Sequence, residues 1–275
     1  MEAALTRVPA TYLFVPGNRA DRFDSALRSG ADAVVLDLED AVTPNDKPAA
    51  RDAIRSWYVP AHENVAQVVI RINDETTAWF EDDLTVLRAT GVRTVMLPKA
   101  EAPAQIERVL AALPGGGTVV PIIESARGAL NCDSIAATKG VHRLAFGTLD
   151  YAVDLNLPGD ERGLLYTASR MAIASKAAGL ATPIAGVTAA LGDDERLKAD
   201  LDFARACGFG AKLCIHPKQV AVVHAWWAPT TTEIEWAQRV LGAAEGSQGA
   251  FQLDGKMVDR PVILKARNLL DRARK

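Results

Sequence analysis

TVVPIIESARGALNCDSIAATKGVHRLAFGTLD, residues 118–150, carries the pattern that decides the fold. A β-branched run at 118–123 ends in Glu124, and a second run at 141–146 leads through Gly147 to Asp150. Both runs are almost continuously apolar, as expected of parallel strands covered on both faces, and a helical pattern lies between them. The same unit repeats outward in both directions. Upstream strand candidates are 11–15 (TYLFV), 33–38 (AVVLDL), 67–72 (QVVIRI) and 93–97 (RTVML); downstream ones are 182–187 (TPIAGV) and 211–215 (AKLCI). In 101–113, Ile106, Val109, Leu110 and Leu113 follow the i, i+3, i+4, i+7 stripe of an amphipathic helix, with Pro103 near its start. The stretch 193–208 opens on acids and stops at Gly208, so its helix signals agree.

Eight strands, each followed by a helix, can close into a barrel or lie open as a doubly wound sheet. The count of eight, the length of 275 residues and the lack of GxGxxG after the first strand favour a TIM (β/α)8 barrel. GGG at 115–117 precedes a strand and reads as an αβ turn. The barrel is assigned to residues 1–228. Beyond the Trp226-Trp227 pair the pattern changes: a helix at 231–245, a polar Gly-containing stretch to Gly255, and a last helix at 261–273 starting at Pro261. Residues 229–275 therefore read as a C-terminal helical extension, and the adjacent tryptophans as packing.

The chain is 49% hydrophobic and 24% charged, with a net charge of −3 and no basic cluster. That excludes nucleic acid as the main partner, because a phosphate backbone demands a basic face. A phosphorylated small molecule needs only a few cations and stays possible. Cys132, Cys207 and Cys214 lack CxxC spacing and read as buried reduced thiols. MEAALTRVPA has no apolar leader, and no run reaches the roughly 18–20 apolar residues of a membrane span, so the expected location is cytoplasmic.

In such a barrel the side chains at the C-terminal ends of strands face the active site. Read in order, those positions give Arg19, then Asp37, Glu39 and Asp40, then Arg71 and Asn73, Lys99, Glu124 and Asp150. Glu124 and Asp150 end sequential strands. Two neighbouring carboxylates repel unless a cation or shared proton compensates, and an all-oxygen pair suits Mg²⁺; alternatively both are solvated loop acids. Arg71, inside a β-branched strand, either pairs with a structural acid or binds a substrate anion. Asp37 sits within its strand and reads as orienting Arg71 or Lys99. His216 follows the eighth strand and reads as structural before it reads as a general base. No nucleophile-elbow serine or His-x-x-x-His spacing is present.

Nine segments in order resemble the HpcH/HpaI aldolase and citrate lyase superfamily, most closely its citrate lyase beta-subunit-like branch. They are LFVPGNR (13–19), GADAVVLDLEDAV (30–42), KPAAR (47–51), VIRIN (69–73), MLPKAE (96–101), PIIESARG (121–128), LAFGTLDYAVDL (144–155), IHPKQV (215–220) and MVDRP (257–261). The resemblance implies a TIM barrel assembled as a homotrimer or hexamer, with Mg²⁺ on Glu124 and Asp150. It implies that the substrate carboxylate meets backbone N–H groups near Leu149 and Asp150, that Arg71 contacts substrate, and that Glu39 and Asp40 order water at the metal. Asp259 matches an acid in a C-terminal lid that reaches a neighbouring subunit's site, and Arg19 is matched to the coenzyme A phosphates. The sequence departs from the family at Ala185, where aspartate is common, and at Ala211-Lys212, where Gly-Lys is common.

The implied function is Mg²⁺-dependent carbon–carbon cleavage of a 3-hydroxyacyl thioester of the citryl-, malyl- or citramalyl-CoA type. It yields acetyl-CoA or a homologue plus a keto acid, with Arg71, Asp259, Glu39 and Asp40 as catalytic candidates. The competing expectations are a class II pyruvate aldolase, an acyl-CoA thioesterase on the same site, and a citrate lyase complex subunit acting on acyl carrier protein.

Overall fold

The computed structural model describes residues 8–59, 62, 67–159, 161–245 and 249–273. The chain divides into two compact units, Val8–His224 and a smaller one from Ala225 onward. The larger unit is a closed barrel of eight parallel strands in sequence order. They are β1 (Thr11–Pro16), β2 (Ala33–Asp37), β3 (Gln67–Arg71), β4 (Thr94–Leu97), β5 (Thr118–Ile123), β6 (Ala145–Phe146), β7 (Ile184–Ala185) and β8 (Ala211–Cys214). The barrel closes where β8 pairs with β1, Leu213 opposite Tyr12. Each of the eight expected strands is present.

The helices of this unit are α1 (Phe23–Leu27), α2 (Lys47–Trp57), α3 (Phe80–Thr90), α4 (Pro103–Leu110), α5 (Ala126–Leu130), α6 (Cys132–Ala136), α7 (Thr148–Asp154), α8 (Arg162–Ala177), α9 (Asp194–Ala206) and α10 (Pro217–Trp227). Pro103 opens α4, and the Asp193 side chain caps α9 through the Arg196 N–H. The three cysteines are free and buried.

β6 and β7 are shorter than their apolar runs. Pro183 has no N–H to give a ladder. Arg143, 1% exposed, bonds the Thr182 and Pro9 carbonyls at the bottom of the barrel. Its charge rests on those carbonyls and on the Tyr12 ring, 5.9 Å from its guanidinium carbon.

Strand alternation sets the rest. Tyr12, Ala33, Val35, Val69, Met96, Val120, Ile122, Ala145, Ile184, Ala211 and Leu213 form the barrel interior. Two residues further along their strands, the same parity reaches Asp37, Arg71, Glu124 and Gly147. The apolar core is thus roofed by a polar layer at the strand C-termini.

The unit from Ala225 holds α11 (Thr231–Ala244), a hairpin of β9 (Phe251–Leu253) and β10 (Lys256–Val258), and α12 (Arg260–Ala273). Its own core is built on Ala237, Val240, Val258, Ala266 and Leu269. The polar Gly-containing stretch read as running to Gly255 forms this hairpin's first strand and turn. Asp254 and Gly255 sit at φ 51° and 75°, the turn that an Asp-Gly pair favours between two strands. Among the described residues no helix is long and apolar enough to cross a membrane.

Met96 is fully buried in the barrel interior. Met96→Ala is expected to destabilise the fold by about 2–5 kcal/mol, measured by reversible denaturant unfolding.

Candidate active site

The mouth is organised around a buried acid. Asp37 is fully buried at the end of β2 and accepts two hydrogen bonds from Arg71, from Nε and Nη2, each 2.7 Å. Its oxygens also take the N–H groups of Glu39 and Ala41, which fixes the turn after the strand. Arg71 lies with its guanidinium carbon 4.6 Å from the centre of the Phe14 ring, the uppermost aromatic group of the interior. Its Nη1 is 2.7 Å from Glu39 Oε2 and 3.8 Å from Asp40 Oδ2. Burial pulls the Arg71 pKa down, but the Asp37 charge and its hydrogen bonds outweigh this and leave it raised.

The Glu39 turn is braced from below. Lys47, at the start of α2, donates to the carbonyls of Leu38 and Glu39 and to Asn73 Oδ1. Asn73 in turn donates to Asp83 and to the Leu38 carbonyl, and Arg51 pairs with Asp83 at 3.0 Å. Every member of this network is buried and paired, which makes it rigid. The KPAAR segment therefore positions the turn.

Glu124 follows β5 and is 5% exposed. One oxygen accepts the Lys99 N–H at 2.7 Å. Lys99 makes that bond from a left-handed backbone, φ 46°, which costs a non-glycine residue on the order of 1–2 kcal/mol. The other oxygen lies against Gly147, where any Cβ would collide with the carboxylate. Lys99 Nζ is 3.4 Å from Glu39 and 3.5 Å from Asp74, so one cation spans two strand ends. Asp150 lies exposed in the first turn of α7, whose leading N–H groups have no helical acceptor.

The electrostatics are unbalanced. Burial pushes Glu124 up to about 8, the Glu39 and Asp150 charges push the same way, and the Lys99 N–H and Arg71 oppose. Glu39 is pushed up to about 7, chiefly by burial, against Arg71 and with Asp40 and Asp37 adding to it. Glu39, Asp40, Glu124 and Asp150 thus share one mouth with only Lys99 and Arg71, the latter already paired with Asp37, which is the chemistry of a cation site. Among the described residues no group of three or more His, Cys, Asp and Glu side chains is arranged to hold a metal ion. A cation here would rest on two carboxylates, with water and substrate oxygens completing its sphere, as Mg²⁺ accepts.

The family model described as HpcH/HpaI aldolase/citrate lyase matches residues 10–217. The chain belongs to this family. It is 40% identical over 275 residues to a citrate lyase subunit beta-like protein of Deinococcus radiodurans, covering 94% of this chain and 95% of that one. It is 31% identical to a (3S)-malyl-CoA thioesterase of Cereibacter sphaeroides, covering 96% and 94%. Among solved structures, CitE of Mycobacterium tuberculosis in complex with magnesium, acetoacetate and coenzyme A superposes with a TM-score of 0.88 at 34% identity. That match covers 98% of this chain and 100% of CitE. This family member is an enzyme of the citrate lyase type.

Of the residues singled out from sequence, the barrel brings Glu39, Asp40, Arg71 and Glu124 to one mouth, with Asp150 near enough to raise Glu124. Arg19 is part-exposed and paired with Asp21 at 2.7 Å. Leu149, 54% exposed, precedes Asp150 in α7. Asp259, in the C-terminal unit, bonds the N–H of Val262 at the start of α12. His216 accepts the Lys218 N–H as α10 begins. Sequence reading missed the bracing residues Lys47 and Asp83. Their signal was a charge on the buried stripe of a helix: Lys47 with Ala50, Arg51 and Ile54, and Asp83 with Phe80, Leu84 and Leu87.

Two outcomes follow. Gly147→Ala should displace the Glu124 carboxylate and lower kcat roughly 100-fold while circular dichroism stays native. Because Glu124 and Glu39 are raised above their unfolded values, the protein without divalent ions loses stability as pH rises from about 5 towards 8. Urea unfolding in EDTA should show that decline, and E124Q should flatten it.

Proposed function

We propose that this chain is a Mg²⁺-dependent carbon–carbon lyase acting on a 3-hydroxyacyl-CoA thioester, splitting it into an acyl-CoA and a keto acid. The observation that carries the reading is the meeting of Glu124, Glu39 and Arg71 in the polar layer above the barrel core. The magnesium, acetoacetate and coenzyme A held by the CitE relative support it, since an oxo acid and the thioester carrier are the two halves of such a substrate. The same relative favours a soluble CoA thioester over an acyl carrier protein.

Glu124 and Asp150 would hold the metal, which when bound supplies Lewis acidity to substrate oxygens. The first-turn N–H groups of α7, near Leu149 and Asp150, would receive the substrate carboxylate. Asp37 takes the Nε and Nη2 side of Arg71, leaving Nη1 for Glu39 and for the thioester oxygen that gains charge as the bond breaks. Lys99 Nζ adds positive charge beside Glu39. Cleavage turns the hydroxyl into the carbonyl of the keto acid, releasing its proton to water, and leaves an electron pair on the thioester α-carbon, which must take a proton. Glu39, with its pKa near neutrality, is the barrel acid suited to give it. Asp259 is the second candidate, proposed from the family resemblance.

A second reading, hydrolysis of the thioester, draws on the 31% identical (3S)-malyl-CoA thioesterase. Incubation with malyl-CoA and Mg²⁺ separates the two: lysis yields acetyl-CoA and glyoxylate, hydrolysis yields free coenzyme A and malate. E124Q should lower turnover by roughly 10²- to 10³-fold with the fold intact, and full activity in that variant would refute the assignment of Glu124. E39Q and D259N compared by solvent-proton incorporation into the acyl-CoA product identify the proton donor.

A further inference from the structure

The alternation that aims Glu124 into the mouth turns Lys212 the other way. Ala211 and Leu213 point into the barrel, so Lys212 between them points out, towards the helical ring. It is 2% exposed. Its Nζ donates to the Gly186 carbonyl. The acid facing it from α9, Asp200, is already held by Thr188 Oγ1 at 2.5 Å and by Arg196 at 2.8 Å. Directly across the β7–β8 register stands Ala185, which offers no charge. Burial pushes the Lys212 amine down to about 8; Asp200 and Cys214 pull it up and Arg196 pushes it further down.

This amine lines a cavity of about 490 Å³, open on one side, between the outer face of β6–β8 and helices α7, α8 and α9. Its walls include Phe146, Leu157, Leu164, Phe203 and Phe209. The size is that of a small-molecule site. Its charged lining is Lys212, Arg196, Glu161, Asp193 and Asp200. Arg196 is paired with Glu161 at 3.2 Å and with Asp200 at 2.8 Å, and Asp193 takes the Arg196 N–H, which leaves Lys212, among the described residues, as the lining cation without an ion-pair partner. A buried ammonium with one carbonyl partner and no acid of its own has two N–H bonds to give, and a carboxylate would meet both the charge and the donors.

We propose that this cavity is a second binding site, centred on Lys212, for a small monocarboxylate. The carboxylate sits on Lys212 Nζ and the hydrocarbon tail lies among Phe146, Leu164, Phe203 and Phe209. Thr148 and Leu149 at the start of α7 also line the cavity, so it adjoins the place proposed for the lyase substrate's carboxylate; Lys212 and the four apolar side chains hold neither the proposed metal nor the thioester.

The test is calorimetric titration of hexanoate into the full chain in magnesium-free buffer, with 1-hexanol as the uncharged comparison. Wild type and E124Q should bind hexanoate saturably with equal affinity. Lys212→Met should weaken binding roughly 10- to 100-fold, the loss of one charge-assisted contact. Ala185→Asp, which gives Lys212 an acid across the register, should do the same in a well-folded protein, so the test survives if Lys212→Met does not fold. The proposal is overturned if wild type shows no saturable binding at millimolar hexanoate, or if 1-hexanol binds equally. Binding unchanged in both cavity variants, or abolished in E124Q, overturns it as well.

Discussion

The mouth of the barrel depends on one buried ion pair. Asp37 is fully buried, and Arg71 satisfies it through two parallel hydrogen bonds while its own charge is kept near the apolar core by Phe14. Neither partner would be tolerated there alone, because a lone buried charge costs several kcal/mol. Paired, they present the outer edge of a guanidinium to the cavity at a fixed height. Glu39 is held by that edge and by its own N–H on Asp37, so the position of the second carboxylate follows from the first.

Much of this was legible in the sequence, and the reasons differ by residue. The eight strands could be read because buried parallel strands are continuous apolar runs with few competing interpretations. Arg71, Glu39 and Glu124 stood out because a charge at the end of such a run has to be explained. Lys47 and Asp83 did not, because each lies in a helix rich in other charges, where only its position on the buried stripe distinguishes it. Lys99 was visible as a strand-end residue, but its left-handed backbone and its N–H bond to the Glu124 carboxylate, 25 residues away in sequence, were not. The hairpin of the C-terminal unit was missed for a local reason: Asp254-Gly255 is a turn signal, and the strands beside it have only three residues each.

The raised pKa values of Glu39 and Glu124 are the cost of placing acids where burial and mutual repulsion both oppose ionisation. A stable protein could have substituted amides. Retaining carboxylates beside a strained Lys99 and a glycine with no room for a Cβ is a stability loss localised to one face of the fold, as expected where preorganised charge serves a reaction. The bracing network under Glu39 offsets part of that loss. Lys47 ties the turn carbonyls to Asn73, and Asp83 ties Asn73 to Arg51, so the like charges above cannot relax by moving apart.

The same arithmetic of strand parity also explains why a lysine on β8 has so different a fate from a glutamate after β5. Inward positions near the strand ends share one mouth, where charges of both signs meet and can be matched by substrate. Outward positions are isolated from one another by the helices that cover them, and each must be neutralised within its own compartment. The helices covering them obey the same rule: Arg51 of α2 is paired with Asp83 of α3. Lys212 has a backbone carbonyl, an acid engaged elsewhere, and open volume. A charge that the fold neither pairs nor exposes, facing space the fold does not fill, is most simply explained by an anion that the cavity is built to admit.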